Sequence, residues 1–264
     1  MVRAAMPDTK RTGSEPSSAE APAPLRPHPL LGAYYSDEPE RRRRVRAWFD
    51  ESAPHYDWIT QAMSLGSGHW YRRRVLSAGG VAPGARVLDV ACGTGVLAEA
   101  ASRLVGPQGG VVGLDPSAGM LARARGRGVS RLVLGVAEAL PFPDGSFDLV
   151  TMGYALRHVA DLGATFSEYR RVLRPGGRVL VLEITRPQSR LGLAFVRFYL
   201  GRVIPALARA GGGAARELFR YYWDTIENCV PPATIIGALA AAGFAEAGRD
   251  TELALFSAYR GVAP

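Results

Sequence analysis

The chain has 264 residues, 47 % of them hydrophobic, enough for one large α/β domain with a true core plus a tail. Its net charge is +8 and its sequence pI about 9.9, with Lys10 as the only lysine; such a balance suits nucleic acid, an anionic membrane or an acidic substrate, and equally a plain compositional bias. Two cysteines, Cys92 and Cys229, far apart in sequence, exclude a disulfide framework and a zinc cluster, and no carboxylates stand at metal-ligand spacing.

Residues 1–32 are rich in Pro, Ala, Ser and charge and are expected to be a disordered tail. No apolar h-region opens the chain and no uninterrupted stretch reads as long enough to span a bilayer, so a cytoplasmic protein is the expectation. A helical N-terminal cap is expected over residues 33–80. Ser36 or Asp37 can cap its first helix, which continues into Arg41–Arg44 and Arg46, either an anion-binding face or a solvated one. Trp48 and Phe49 read as core packing, whereas Tyr56, Asp57 and His69 are polar groups that need partners if buried.

From Val81 to the C-terminus, strands alternate with helices: Arg86–Val90, Gly110–Leu114, Arg131–Val136, Phe147–Met152 and Arg178–Glu183, with Ala245–Asp250 and Glu252–Arg260 as a closing pair. This is the pattern of an α/β, Rossmann-like fold: a seven-stranded, mostly parallel sheet with an antiparallel C-terminal hairpin. Ligands then lie outside the C-terminal strand ends, where Asp89, Asp115, Ala137, Gly153 and Glu183 fall. A helical insertion over about residues 187–230 reads as a lid. Its stretch Leu191–Leu207 is apolar and aromatic but carries Arg197, Arg202 and Pro205; a substrate lid, a channel for a greasy tail, an interfacial helix and a core helix all fit it.

The organising stretch is Arg86–Ala98, a buried strand, a turn at Gly93-Thr94-Gly95, then a helix. Gly93-x-Gly95-x-x-Ala98 fits a dinucleotide fingerprint, with Asp115 near the expected offset of about 20 residues. Asp89, however, puts a carboxylate before the loop, where a pyrophosphate is repelled and a sulfonium or ammonium attracted. With Pro141–Val150 leading into the fourth strand, these stretches resemble the motifs of class I S-adenosylmethionine (SAM) methyltransferases.

Over about residues 41–262 the chain resembles more specifically the ubiquinone/menaquinone biosynthesis C-methyltransferase family. Tyr56-Asp57 through Ser64 to Tyr71, Ala137–Asp144 with Leu156-Arg157, and Arg171–Thr185 carry the likeness. The resemblance implies SAM as cofactor, S-adenosylhomocysteine as product, and no metal. It implies a cofactor set of Asp89, Gly93, Thr94, Gly95, Asp115, Pro116, Met120, Val136, Ala137 and Gly153, with Asp115 accepting from the ribose hydroxyls and Ala137 facing the adenine. Tyr56, Arg157 and His158 would face the acceptor, a hydroxylated aromatic or quinol ring with or without a prenyl tail; Arg157 could hold a water that removes its proton. Methylating ring carbon is easiest once a neighbouring hydroxyl has lost its proton, with the carbon held about 3 Å from the methyl group.

The chain departs from the family pattern at Val136 (Asn or Asp), Gly153 (Ser), His158 (Asn), Thr60 (Asn), Gly68 (His) and Tyr71 (Trp). His158, titrating near neutrality, is a candidate general base, with a packed histidine as the alternative. Methylation of a specialised metabolite on carbon or oxygen is the second reading. A nucleic-acid partner is not expected: Gly153-Tyr154-Ala155 stands where many base-modifying enzymes carry an Asn/Asp-Pro-Pro-aromatic motif, and no RNA module is present. Peripheral membrane contact and a homodimer remain open partners.

Overall fold

The computed structural model describes residues 23–64, 68–252 and 255–264. Residues 1–22 of the tail expected over 1–32, the part of the N-terminal signature at residues 65–67 and the side chain of His69 lie outside the described residues. The first helix, α1 (Glu38–Met63), starts where its cap chemistry dictates: Asp37 is extended, and its side chain accepts from the Glu40 N–H at 2.7 Å. Ser36 instead donates its N–H and hydroxyl to Glu40. Helix α2 (Gly68–Ala78) follows.

The sheet domain then runs β1 (Arg86–Val90), α3 (Val96–Val105), β2 (Gly110–Asp115), α4 (Ala118–Gly126), β3 (Arg131–Leu134), β4 (Phe147–Gly153), a 3₁₀ turn at Leu156–His158, α5 (Leu162–Val172) and β5 (Leu173–Ile184). Helices α6 (Arg190–Phe198), α7 (Ile204–Leu207) and α8 (Gly213–Glu227) form the insertion, and α9 (Pro232–Ala241), β6 (Ala245–Glu252) and β7 (Phe256–Val262) close the chain. The sheet order is β3-β2-β1-β4-β5-β7-β6, parallel except for β7, which is antiparallel to both neighbours.

Strand alternation sorts the core into two layers. Val87, Leu149, Leu180 and Leu182 face one side, with α3, α8 and α1; Leu88, Val150, Val179 and Val181 face the other, with α5 and α9. The order reverses between β1 and its neighbours β2 and β4, so the crevice at their C-terminal ends is where a ligand site belongs.

Several boundaries differ from the sequence expectation. β3 ends at Leu134 because Val136 turns into an isolated bridge with Ala139. β5 begins at Leu173, which pairs with Phe147 before the register shifts around the Pro175-Gly176-Gly177 turn. β7 begins at Phe256, since Glu252 closes β6. Residues 23–32, expected to be disordered, form a strap on the domain. Leu25 donates its N–H to Asp161 Oδ1 and accepts from Leu162 N–H, Pro27 accepts from Val230 N–H, and His28 is 3 % exposed. Paired backbone groups and one buried ring hold a segment whose composition alone reads as disorder.

The run Arg190–Ala210 is helical throughout, with mean hydropathy 1.5 and 28 % of it buried. By length and composition it is long and apolar enough to cross a membrane, against the sequence expectation. Pro205 does not break it because the helix widens into a π turn at Tyr199–Val203 just before it. One side of the run packs in the domain core through Val196, Leu200 and Ile204.

Candidate active site

The loops after β1, β2 and β4 converge on a cavity of about 530 Å³, roofed by α1 and the α6–α7 run. Backbone strain marks the two central loops. Ala91 (φ 52°) and Tyr154 (φ 62°), both in the cavity wall, adopt left-handed backbone without being glycine.

Asp89 closes one end. It is 1 % exposed; Oδ1 accepts from Thr151 Oγ1 at 2.8 Å, and Oδ2 is buried without a partner. Burial pushes its carboxyl up to about 7. Asp115 is also buried, and desolvation raises it to about 6. Its two oxygens accept from Gly93 N–H and Ser117 N–H, each at 2.8 Å, which orients the carboxylate while leaving acceptor capacity on each oxygen. Two desolvated carboxyls, one with an orphaned oxygen, suit a ligand carrying a cation and a vicinal diol. The aminoacyl-sulfonium and ribose of SAM fit that demand.

Of the expected cofactor residues, Asp89, Gly93, Thr94, Asp115, Pro116, Met120, Val136, Ala137 and Gly153 line this cavity. Gly95 does not. Its φ is +82°, and an added Cβ would meet Ala124 Cβ and Val129 Cγ2 at 3.0 Å, so this glycine serves the packing of α3 against α4. Thr94 is already engaged: its hydroxyl donates to Asp57 Oδ1 at 2.5 Å. Val136 brings no hydrogen-bonding side chain to its wall, whereas Glu138 in the same wall does.

Of the residues expected at the acceptor, Tyr56 and His158 line the cavity. Burial raises the Tyr56 hydroxyl and keeps it protonated. The His158 ring lies among Phe49, Tyr221 and Tyr222, at centroid distances of 5.4, 5.6 and 5.5 Å. Neither of its nitrogens has a hydrogen-bond partner. Burial, then the charges of Arg157, His28 and Arg41, push its pKa well down, so the ring is neutral.

Arg157 does not reach the cavity. It is 0 % exposed, ion-paired with Glu183, and 4.3 Å from the Tyr222 ring centroid. It donates to Thr225 Oγ1 and to the Tyr154 carbonyl, both at 3.3 Å. A guanidinium taken out of water needs a carboxylate, and Glu183 at the end of β5 supplies it. Arg157 is therefore a positioning residue rather than the holder of a catalytic water. The arginine run is likewise not all solvated: Arg41 is 4 % exposed and donates to the carbonyls of His158 and Val159 at 3.1 and 2.8 Å.

Sequence reasoning missed Asp50, whose Oδ1 accepts from Ser117 Oγ at 2.6 Å and from Gly119 N–H at 2.9 Å. Asp50 and Asp57 lie seven residues apart, two turns along one face of α1, and that spacing was the available signal. Asp57 also pairs with Arg127, whose Nε donates to the Thr94 carbonyl at 2.9 Å. Phe49, read as packing, lines the cavity too, as do Arg72, Tyr154, Tyr222, Tyr199 and Phe256. Among the described residues, no cluster of three or more His, Cys, Asp or Glu side chains could hold a metal ion.

The sequence model of the ubiE/COQ5 methyltransferase family matches residues 37–254. A demethylmenaquinone methyltransferase from Symbiobacterium thermophilum is 38 % identical over 233 residues, covering 82 % of this chain and 91 % of that protein. A 2-phytyl-1,4-naphtoquinone methyltransferase from Synechococcus elongatus is 39 % identical over 212 residues, covering 77 % and 89 %. A solved SAM-dependent methyltransferase from Thermotoga maritima shares the fold, with TM-score 0.59 at 20 % identity, covering 83 % of this chain and 100 % of that one.

The raised Asp89 carboxyl has a measurable consequence. The free protein holds a proton there at pH values where an unfolded chain has lost it, so this group's contribution to stability falls as pH rises between about 4 and 7. A bound cation favours the carboxylate instead. SAM affinity is expected to rise about tenfold from about pH 6 to 8, with proton release seen by calorimetry in buffers of different ionisation enthalpy. Asp89→Asn should flatten that rise; an unaltered rise in the variant would assign the proton elsewhere.

Proposed function

The chain belongs to the ubiE/COQ5 methyltransferase family and is a SAM-dependent methyltransferase, and from that premise we propose that it C-methylates a hydroxylated aromatic or quinol ring of the demethylmenaquinol or ubiquinol-precursor type. The observation that carries this reading is the acceptor end of the cavity. There a neutral imidazole with both nitrogens free, His158, stands among aromatic rings under the α6–α7 roof. The curated relatives from Symbiobacterium and Synechococcus, named for quinone-ring methylation, support the acceptor class.

When bound, SAM supplies an electrophilic methyl group and departs as S-adenosylhomocysteine. Asp89 offers its unpaired oxygen to the cationic end of the cofactor, and Asp115 accepts from the ribose. Gly93, Thr94, Pro116, Met120, Val136, Ala137 and Gly153 wall the cofactor. Tyr56, protonated, donates a hydrogen bond towards the acceptor. His158 accepts the proton of the ring hydroxyl: both its nitrogens are unpartnered and the ring is neutral, while its lowered pKa makes it a weak base that needs the hydroxyl itself to be acidified in the site. Arg157 fixes the Tyr154 and Tyr222 walls from behind. The roof excludes water from the reacting carbon.

A prenyl tail would leave the cavity past Phe195, which lines it and is 62 % exposed. On the same helix Leu191 and Phe198 are 87 % and 57 % exposed, beside the exposed Arg190. This face suits peripheral contact with an anionic bilayer. Sedimentation with anionic vesicles should carry the protein down, and Leu191→Ser with Phe198→Ser should release it; equal sedimentation of the variant would remove this face from the contact.

The acceptor is tested by mass spectrometry after incubation with methyl-labelled SAM and a reduced demethylmenaquinone. One label per quinol is expected, and His158→Ala should lower turnover about 10²- to 10⁴-fold with SAM affinity kept. No label from a protein that binds S-adenosylhomocysteine would favour a specialised metabolite instead, and unchanged turnover would remove His158 from the mechanism.

A further inference from the structure

The acceptor end of the cavity holds a positive charge without a counter-ion. Arg72, on α2, lines the cavity and is half-buried. Its guanidinium carbon lies 5.0 Å from the centroid of the Tyr154 ring. Among the described residues it has no carboxylate partner. The other paired cations nearby differ: Arg41 and Arg42 bind Glu38, and Arg74, two residues on, binds Glu252 at 2.9 Å. A guanidinium against an aromatic face gains some cation–π attraction, but that does not replace an anion in a partly dehydrated site.

Its charge reaches groups at both ends of the cavity. Arg72 pulls the Tyr56 and Tyr154 hydroxyls near the acceptor, and Asp89 at the cofactor end, downward against the upward push of burial. Tyr154 Oη is buried with no hydrogen-bond partner, and burial keeps the Tyr154 and Tyr56 hydroxyls protonated despite the cation. Gly68 leaves room for the guanidinium where it stands. A Cβ at this residue would lie 2.8 Å from Arg72 Nη1, so the glycine that stands where the family pattern has histidine leaves the space that the guanidinium fills.

We propose that Arg72 binds the ionised ring hydroxyl of the acceptor, so that the ring is held and methylated as its phenolate. This rests on the aromatic-acceptor reading given above and assigns a second role beside the proton acceptor. The hydroxyl proton passes to His158 and from it to solvent. The ring's electron pair then forms the new carbon–carbon bond to the methyl group, whose bond to sulfur breaks with its pair left on sulfur. The ring hydrogen at that carbon leaves as a proton, and the oxygen regains one. One proton is released per methyl transferred, and no oxidant or reductant is consumed. Arg72 favours the phenolate both before and during attack, as an opposite charge within a few ångström does.

The test uses the full-length protein loaded with S-adenosylhomocysteine and 4-nitro-1-naphthol as probe, whose anion absorbs visible light. Titrated while bound, the probe should ionise at a pH at least about one unit below its value in water. Arg72→Gln should abolish that shift and weaken anion binding about tenfold or more, with S-adenosylhomocysteine affinity kept as the measure of an intact fold. Arg72→Lys should retain part of the shift. Gly68→His, which displaces the guanidinium without removing it, should lose it as well. A bound probe that ionises at the same pH in wild type and in Arg72→Gln would overturn the proposal. Failure of the quinol reading leaves a different trace, since the probe would then titrate as expected while labelled methyl reached no quinol.

Discussion

The ion pair between Arg157 and Glu183 is the constraint on which the acceptor end depends. Both side chains are nearly fully buried, at 0 % and 2 % exposure. Such a pair recovers its desolvation cost fully only when its remaining hydrogen-bonding groups are satisfied. Glu183 Oε2 is buried without a partner, so the pair matters less for net stability than for position, although losing one partner costs about 3–5 kcal/mol. Here the other guanidinium nitrogens hold Thr225 of α8 and the Tyr154 carbonyl after β4, and the plane of charge lies over the Tyr222 ring. Three elements are thereby fixed to the end of β5: the strained loop after β4, the 3₁₀ turn that carries His158, and the longest helix of the insertion. Arg41 adds a fourth by tying α1 to the carbonyls of that turn. Burial is the main reason the His158 ring is neutral, and the Arg157 charge adds to it, so the pair that places the imidazole also reinforces its protonation state.

Helix α1 applies a parallel constraint at the cofactor end. Asp50 holds the loop after β2 through Ser117 and Gly119, and Asp57 holds the loop after β1 through Thr94 and Arg127. A single helix thus spans both loops and reaches the acceptor end through Tyr56. On the proposed reading cofactor and acceptor would share this one chamber, whose roof is tied to the loops after β1 and β2 and would hold both ligands in fixed relation, as a transfer between two bound molecules requires.

Much of this was legible in the sequence, for physical reasons. Strands buried on both faces read as apolar runs, so β1, β2, β4 and β5 are found within a few residues of their places. Asp89 in β1 stands out because its charge contradicts a pyrophosphate, and Asp115 at the end of β2 because it sits at the offset of a ribose-binding acid. What sequence could not supply is who pairs with whom. Arg157 reads as a free cation until Glu183, 26 residues away, is placed against it. Arg72 reads as one of three consecutive arginines until Arg74 is seen to pair with Glu252 and Arg72, among the described residues, with no carboxylate. Gly95 reads as a cofactor glycine until Ala124 and Val129 are found behind it. The strap at residues 23–32 has a disordered composition, and three backbone hydrogen bonds and the burial of His28 hold it in place.

The central claim is that the chamber directs methyl transfer to ring carbon. The most direct measurement is carbon-13 NMR of the quinol product formed from SAM labelled in its methyl group. One labelled methyl bonded to an aromatic ring carbon beside a hydroxyl is the expected result. A labelled methyl bonded to oxygen would contradict it.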